Sequence, residues 1–288
     1  MSMPCLDLSP TALFSSVYIK CHGVELHYTD WGNKDAPVVL MAHGLARTGR
    51  DFDELAYALS QDYRVICPDM LGRGLSEWAT DTKQYCLNNY ALLLAELLKQ
   101  LEIHSVRWVG TSMGGATGIV AAAGILKERI SHLVINDIGP ELPAPAITRI
   151  LNYVGHPPSF KRVTDLEQWL RQVYLPYGWL SDAQWQRMAE TSVRRLPSGE
   201  VTAHYDPNIV QQFNHFPKDY ERWQEFETLA LPISILRGKN SDLLTVDTVR
   251  KMQKLQPKAT IAEFSDCGHA PALNVPEHIN FIIKNLKS

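Results

Sequence analysis

Val106-Arg-Trp-Val-Gly110-Thr-Ser112-Met-Gly114-Gly-Ala116 decides how the rest of the chain is read. The apolar run Val106 to Val109 predicts a buried strand, and the small-residue run from Gly115 to Leu126 predicts a buried helix. Between them stands Gly110-x-Ser112-x-Gly114. In a strand-to-helix turn this tight the serine backbone is strained, and glycines on either side supply the room that a Cβ would take. The Ser112 hydroxyl is thereby expected to project from the sheet. The Met113 N–H falls at the helix N-terminus, where free amides and the helix dipole favour negative charge.

Gly and Ser are common residues, so this five-residue pattern recurs by chance, and its surroundings must decide. Upstream, Pro37-Val-Val-Leu-Met-Ala-His43-Gly44 is a strand running into a loop, which continues through Arg47 and Arg50 to a helix from about Asp51 to Leu59. Gly44 allows a bend that would turn the Leu45 N–H toward the same space as the Met113 N–H, giving two donors for an oxyanion. Arg64 to Asp69 is a further strand. The Gly72-Arg-Gly74 after it invites a dinucleotide reading, but the third glycine would fall at Glu77 and no acidic residue ends a following strand at the proper distance.

Ser16 to Lys20 and Val24 to Tyr28 alternate as half-buried strands about Cys21-His22-Gly23, a hairpin at a sheet edge. Tyr85 to Leu101 predicts a long helix and His132 to Asp137 a strand. The core resumes with a strand from Leu231 to Gly238, a helix from Thr245 to Leu255, a strand from Ala259 to Phe264 and a helix from Pro276 to Leu286. Strands alternating with helices imply a mainly parallel sheet of the α/β class, covered on both faces. The segment 140–229 differs: helical patterns are broken by prolines and sprinkled with aromatics, without strand periodicity, and it is too long for a loop. It is expected as a helical cap over the active face, inserted in a core of 1–139 and 230–288. Trp179 and Trp185 are its candidate substrate contacts, although most aromatics there are expected to fasten the insertion to the core.

The 288 residues carry 45% hydrophobic and 20% charged side chains, a globular composition that excludes disordered and fibrous classes. A net charge of −3 offers no basic footprint for nucleic acid. The five cysteines (5, 21, 67, 86 and 267) are scattered, which points to neither a disulfide framework nor a zinc cluster. Pro4, Asp7 and Pro10 interrupt the N-terminus, and no apolar run reaches the length of a membrane span, so a cytoplasmic chain is expected.

These motifs together resemble the α/β-hydrolase fold, and in particular capped serine hydrolases of the esterase and lactonase kind. The likeness runs from about residue 16 to the end and is carried by His43-Gly44, Asp69-x-x-Gly72-x-Gly74-x-Ser76, the Gly110 to Gly115 elbow, Gly238 through Asp242, and Gly268-His269. It implies an eight-stranded-type sheet and the catalytic order Ser, acid, His, which Ser112, Asp242 and His269 satisfy. A serine hydroxyl needs an adjacent base at neutral pH, an imidazole can take and return the proton, and a carboxylate fixes the imidazole tautomer. Asp137, which also ends a strand, is the alternative acid. His43 is expected to brace the oxyanion loop, with substrate contact as its second role; Arg47 and Arg50 either steer an acidic substrate or pair with Asp51 and Asp53. His104, His132 and His278 look like surface or strand-edge residues, and Asp69 and Asp266 like carboxylates that brace loops.

The expected activity is hydrolysis of a small-molecule ester or lactone, with a polyester among the candidates, through an acyl-enzyme and without metal or organic cofactor. Dehalogenases and epoxide hydrolases of this fold carry aspartate at the elbow, where this chain has Ser112. Carbon–carbon bond hydrolases share the Ser-Met-Gly-Gly elbow, but those of the meta-cleavage type follow the catalytic histidine with Trp, where this chain has Ala270. A perhydrolase on the same residues and a non-catalytic ligand receptor complete the set of alternatives. Oligomeric state is not readable from the residues.

Overall fold

A computed structural model describes residues 13–287; Pro4, Cys5, Asp7 and Pro10 lie outside the described residues. The central sheet has eight strands: β1 (Phe14–Cys21), β2 (Val24–Trp31), β3 (Val38–Ala42), β4 (Arg64–Pro68), β5 (Val106–Thr111), β6 (Ile130–Asn136), then, after the insertion, β9 (Ile233–Gly238) and β10 (Thr260–Phe264). Their spatial order is β1-β2-β4-β3-β5-β6-β9-β10. The first two strands are antiparallel to their neighbours, and every pairing from β4 to β10 is parallel. The hairpin expected at the sheet edge is β1–β2, closed by His22 (φ 49°) and Gly23 (φ 88°), the two positive φ values that a tight hairpin turn requires.

Side-chain alternation assigns the two faces. In β3, Val38, Leu40 and Ala42 join the core beneath α2 (Leu87–Gln100) and α3 (Met113–Ala123), while Val39 and Met41 join the core beneath α1 (Asp53–Leu59) and α10 (Pro276–Leu286). Both faces are apolar because both are covered, and so β3 and β4 are buried along their whole length. Each fully buried Leu or Ile contributes about 1.5–3 kcal/mol, so a handful outweighs the strain stored at a single turn residue.

Between β6 and β9 the chain forms α4 (Ala144–Val154), α5 (Val163–Val173), α6 (Asp182–Ser192), a small hairpin of β7 (Val193–Arg195) and β8 (Val201–Ala203), α7 (Gln211–His215) and α8 (Trp223–Glu227). The hairpin was not expected from the sequence; its strands are three residues each, too short to display alternation. Leu166, Leu170, Tyr174, Trp185, Met188, Ala189 and Val201 give the insertion a core of its own. It is tied to the loop after β4 by main-chain bonds from Gly74 N–H to His204 O (2.9 Å) and from Asp206 N–H to Gly72 O (2.8 Å). Arg187 on α6 adds ion pairs with Glu54 and Asp53 of α1. Helix α9 (Val246–Leu255) packs Met252 into the larger core. Among the described residues no helix is long and apolar enough to cross a membrane, and Cys21, Cys67, Cys86 and Cys267 are free thiols.

Candidate active site

Ser112 sits at the turn between β5 and α3 with φ 52° and ψ −118°, a conformation that costs a non-glycine residue on the order of 1–3 kcal/mol. Its neighbours leave it no alternative. A Cβ on Gly110 would lie 2.3 Å from the Gly114 backbone, and one on Gly114 would lie 1.9 Å from Ala42 O. The Ser112 N–H donates to Asn136 O (2.9 Å), and Ser112 O accepts from the amides of Gly115 (2.8 Å) and Ala116 (3.0 Å). The turn is thus fixed from both sides.

His269 stands in the loop after β10, and its Nε2 lies 3.0 Å from Ser112 Oγ. Its Nδ1 lies 2.8 Å from Oδ2 of Asp137, not of Asp242. Asp137 directly follows β6, is fully buried, and has φ 57°. Its carboxylate is satisfied by three donors: the Gly238 N–H on Oδ1 (2.8 Å), and the Ser241 hydroxyl (2.5 Å) and His269 on Oδ2. With the carboxylate on Nδ1–H, Nε2 is left as the acceptor facing the serine.

Asp242 corrects the expectation drawn from the sequence. It lies in the loop after β9, but its half-exposed carboxylate turns away to a bidentate bond with Arg149, Nε to Oδ2 at 2.7 Å and Nη2 to Oδ1 at 3.0 Å. The side chain of that loop which turns inward is Ser241, one residue earlier. Because β6 and β9 are adjacent and parallel, the residues after both strands open onto the same space, and loop direction alone selects the carboxylate that meets His269.

The oxyanion loop is held by His43. Its Nε2 accepts the Met70 N–H (2.9 Å), so Nδ1–H donates to Gly44 O (2.7 Å). The Arg47 N–H reaches the same carbonyl at 3.2 Å, and Arg73 Nε donates to Leu45 O at 2.8 Å. With Gly44 O engaged on one side of a trans peptide, the Leu45 N–H of that peptide points to the other. Among the described residues neither the Leu45 nor the Met113 N–H donates a hydrogen bond, and Gly44 closes on Ser112, a Cβ there lying 3.8 Å from the Ser112 Cβ. His43 itself is completely buried and does not line the cleft, so it cannot be a substrate contact; burial pushes its imidazole down to about 4 and keeps it neutral.

A narrow cleft opens over Ser112 and His269. Its floor is Gly44 to Arg47, and its far wall comes from the insertion: Arg149, Ile150 and Tyr153 on α4, with Val173, Tyr174 and Tyr177. Burial raises all three tyrosine hydroxyls, which therefore stay protonated and can donate. Arg47 lines the cleft but is bound to Asp51 by two hydrogen bonds and packs 4.6 Å from the Tyr174 ring centre. Arg50 pairs with Asp53. Neither tryptophan expected as a contact is there: Trp179 is 62% exposed, and Trp185 is buried in the insertion's own core beside Arg171. Composition alone could not separate these from Tyr153, Tyr174 and Tyr177, because an irregular helical insertion gives no periodicity from which to read its inner face.

Other expectations divide. Asp69 braces loops as expected, accepting from His27 and from the amides of Gly49 and Leu75. Asp266 is exposed. His132 and His278 are buried rather than superficial: His132 bonds Ser234 Oγ at 3.0 Å, and His278 packs edge-on against Phe264. A β6 whose central residues face covered layers on both sides buries His132, which polarity alone would have placed outside.

Comparison with known proteins agrees with this architecture. Residues 37–274 match the family model described as the alpha/beta hydrolase fold. The 3-hydroxybutyrate-oligomer hydrolase of Cupriavidus necator is 36% identical over 265 residues, covering 88% of this chain and 90% of that one. The esterase Rv0045c of Mycobacterium tuberculosis is 25% identical over 266 residues, 89% of this chain and 84% of its own. The crystal structure of an alpha/beta hydrolase from Novosphingobium aromaticivorans superposes with a TM-score of 0.85 at 33% identity, covering 96% of this chain and 99% of that one. The chain therefore belongs to the alpha/beta hydrolase fold family and is, at the level of that family, a hydrolase of the ester-acting kind.

Proposed function

We propose that the protein hydrolyses carboxylic esters through an acyl-enzyme, with Ser112 as nucleophile, His269 as base and acid, Asp137 as the orienting carboxylate and the Leu45 and Met113 amides as the oxyanion hole. The observation that carries this reading is the unbroken hydrogen-bonded line from Asp137 through His269 to Ser112. As the Ser112 Oγ–carbon bond forms, the hydroxyl proton passes to His269 Nε2 and the carbonyl electrons move onto oxygen, which accepts from the two amides. Losing one such donor typically costs a factor of about 10²–10³ in rate. Collapse breaks the carbon–oxygen bond, and the leaving alkoxide takes the proton from His269. Water then gives a proton to His269 and its oxygen to the acyl carbon, and Ser112 departs with that proton restored.

The segment 140–229 serves as the cap that selects the substrate. The relative from Cupriavidus necator, whose name specifies 3-hydroxybutyrate oligomers, supports short hydroxyacyl esters as the substrate class. The cleft suits them: an apolar flank of Ile150 and Val173 faces protonated tyrosines that can donate to ester carbonyls.

The test is turnover of p-nitrophenyl butyrate and of the linear 3-hydroxybutyrate dimer, with fluorophosphonate labelling of the protein. Both esters should be hydrolysed over many cycles and the label should map to Ser112, while Ser112→Ala should lose at least about a thousandfold in kcat and all labelling. Retained turnover in that variant overturns the reading. Labelling without repeated turnover would indicate a receptor built on the same fold.

A further inference from the structure

Among the described residues two arginines line the cleft, and they are held very differently. The Arg47 guanidinium is enclosed, its side chain 3% exposed, with Asp51 on its edge and Tyr174 against its face. Arg149 is 43% exposed, and the carboxylate that it holds belongs to Asp242, itself 51% exposed. Among the described residues no acidic side chain lines the cleft. Asp137 lies behind His269, where its carboxylate is fully engaged.

The Arg149–Asp242 pair is bidentate in geometry, the arrangement in which a guanidinium recognises any carboxylate. In the open it contributes at most about 1 kcal/mol, so an incoming carboxylate can displace Asp242 at small cost. Tyr153, one helical turn beyond Arg149 on α4, also faces the cleft and meets the guanidinium, adding a protonated hydroxyl to the same corner. A linear hydroxyacid oligomer carries one free carboxylate at its end, together with the ester bonds that the cleft would cut.

From this arrangement we infer that Arg149, with Tyr153, forms a carboxylate subsite that selects esters bearing a free terminal carboxylate, and that Asp242 is the internal group which occupies the guanidinium until such a substrate arrives. The inference rests on the ester-hydrolase reading and adds to it the substrate's charge and the end from which it is held. It also gives Asp242 a role at the cleft without a role in proton transfer.

The experiment compares kcat/KM for the 3-hydroxybutyrate dimer with that for the same dimer amidated at its carboxyl end, in the wild type, Arg149→Gln and Asp242→Asn. Because the two substrates are compared within one variant, any general loss from misfolding cancels in the ratio. The wild type should prefer the free acid by at least tenfold. Arg149→Gln should lower that ratio at least tenfold, and Asp242→Asn should raise it severalfold. An Arg149→Gln ratio within twofold of the wild type overturns the subsite, as does a wild type indifferent to the terminal charge. If p-nitrophenyl butyrate is hydrolysed and neither dimer is, the subsite fails and the ester reading survives; if no ester is hydrolysed, both fall.

Discussion

The hydroxyl of Ser241 donates to Oδ2 of Asp137 at 2.5 Å, the same oxygen that faces His269 Nδ1. The loop after β9 therefore provides a hydrogen bond to the carboxylate rather than the carboxylate itself. Ser241 Oγ also accepts from the amides of Leu243 (3.2 Å) and Leu244 (3.0 Å), so one side chain fixes both the loop and the acid.

Asp137→Asn and Asp242→Asn separate the two carboxylates. An asparagine at 137 cannot hold the imidazole in the tautomer that leaves Nε2 free, and kcat should fall by about 10³–10⁴. Asp242→Asn should lose at least a hundredfold less. Steady-state kinetics with p-nitrophenyl butyrate decides, and a larger loss at 242 would restore it as the acid.

Ser241 is a positioning residue, and its removal should be read in kcat. Ser241→Ala should lower kcat about tenfold with KM changed less than twofold, and should cost about 1 kcal/mol of stability. Ser241→Thr, which keeps the hydroxyl, should recover most of the kcat. Equal effects of Ala and Thr would mean that the hydrogen bond to Asp137 does not matter.

The elbow depends on space and not only on backbone angles. Gly114→Ala sets a Cβ against the Ala42 carbonyl at 1.9 Å, where backbone must move, and should cost upward of about 4 kcal/mol or yield no soluble protein. Gly199→Ala, in the β7–β8 turn with φ 88° and nothing within 4 Å, should cost only about 1–2 kcal/mol. Thermal unfolding of the two variants compares them directly.

Acid should destabilise the fold through its buried histidines. Burial holds His43 and His132 neutral, both pushed down to about 4, whereas the unfolded chain binds a proton at each near 6.5. More protons are bound by the unfolded state in that window, so stability falls as pH drops from about 6.5 to 4, by about 1.4 kcal/mol per unit for each histidine. His132→Asn removes one of them. In urea titrations the wild type's advantage over this variant should shrink by roughly 3 kcal/mol between pH 7 and 4; an advantage that does not change with pH would contradict the assignment to His132.

The amino-acid sequence determined the strand series, because covered parallel strands must be apolar throughout while the edge hairpin must alternate: Val38 to Ala42 and Phe14 to Cys21 show the two patterns. It also marked the elbow, where the glycine at 110 has a local steric cause in the Gly114 backbone 2.3 Å away while that at 114 answers to Ala42 of the neighbouring strand, and it singled out Ser112 and His269, which tertiary packing then brought within 3.0 Å. What only the tertiary structure decided is which carboxylate meets the histidine and which insertion side chains face the serine. Asp137 and Asp242 each follow a strand, and the choice between them depends on how a five-residue stretch, Gly238 to Asp242, turns. Tyr153 and Tyr177 line the cleft while Trp179 and Trp185 do not, because helix packing in the insertion sets the inward face through contacts far apart in sequence.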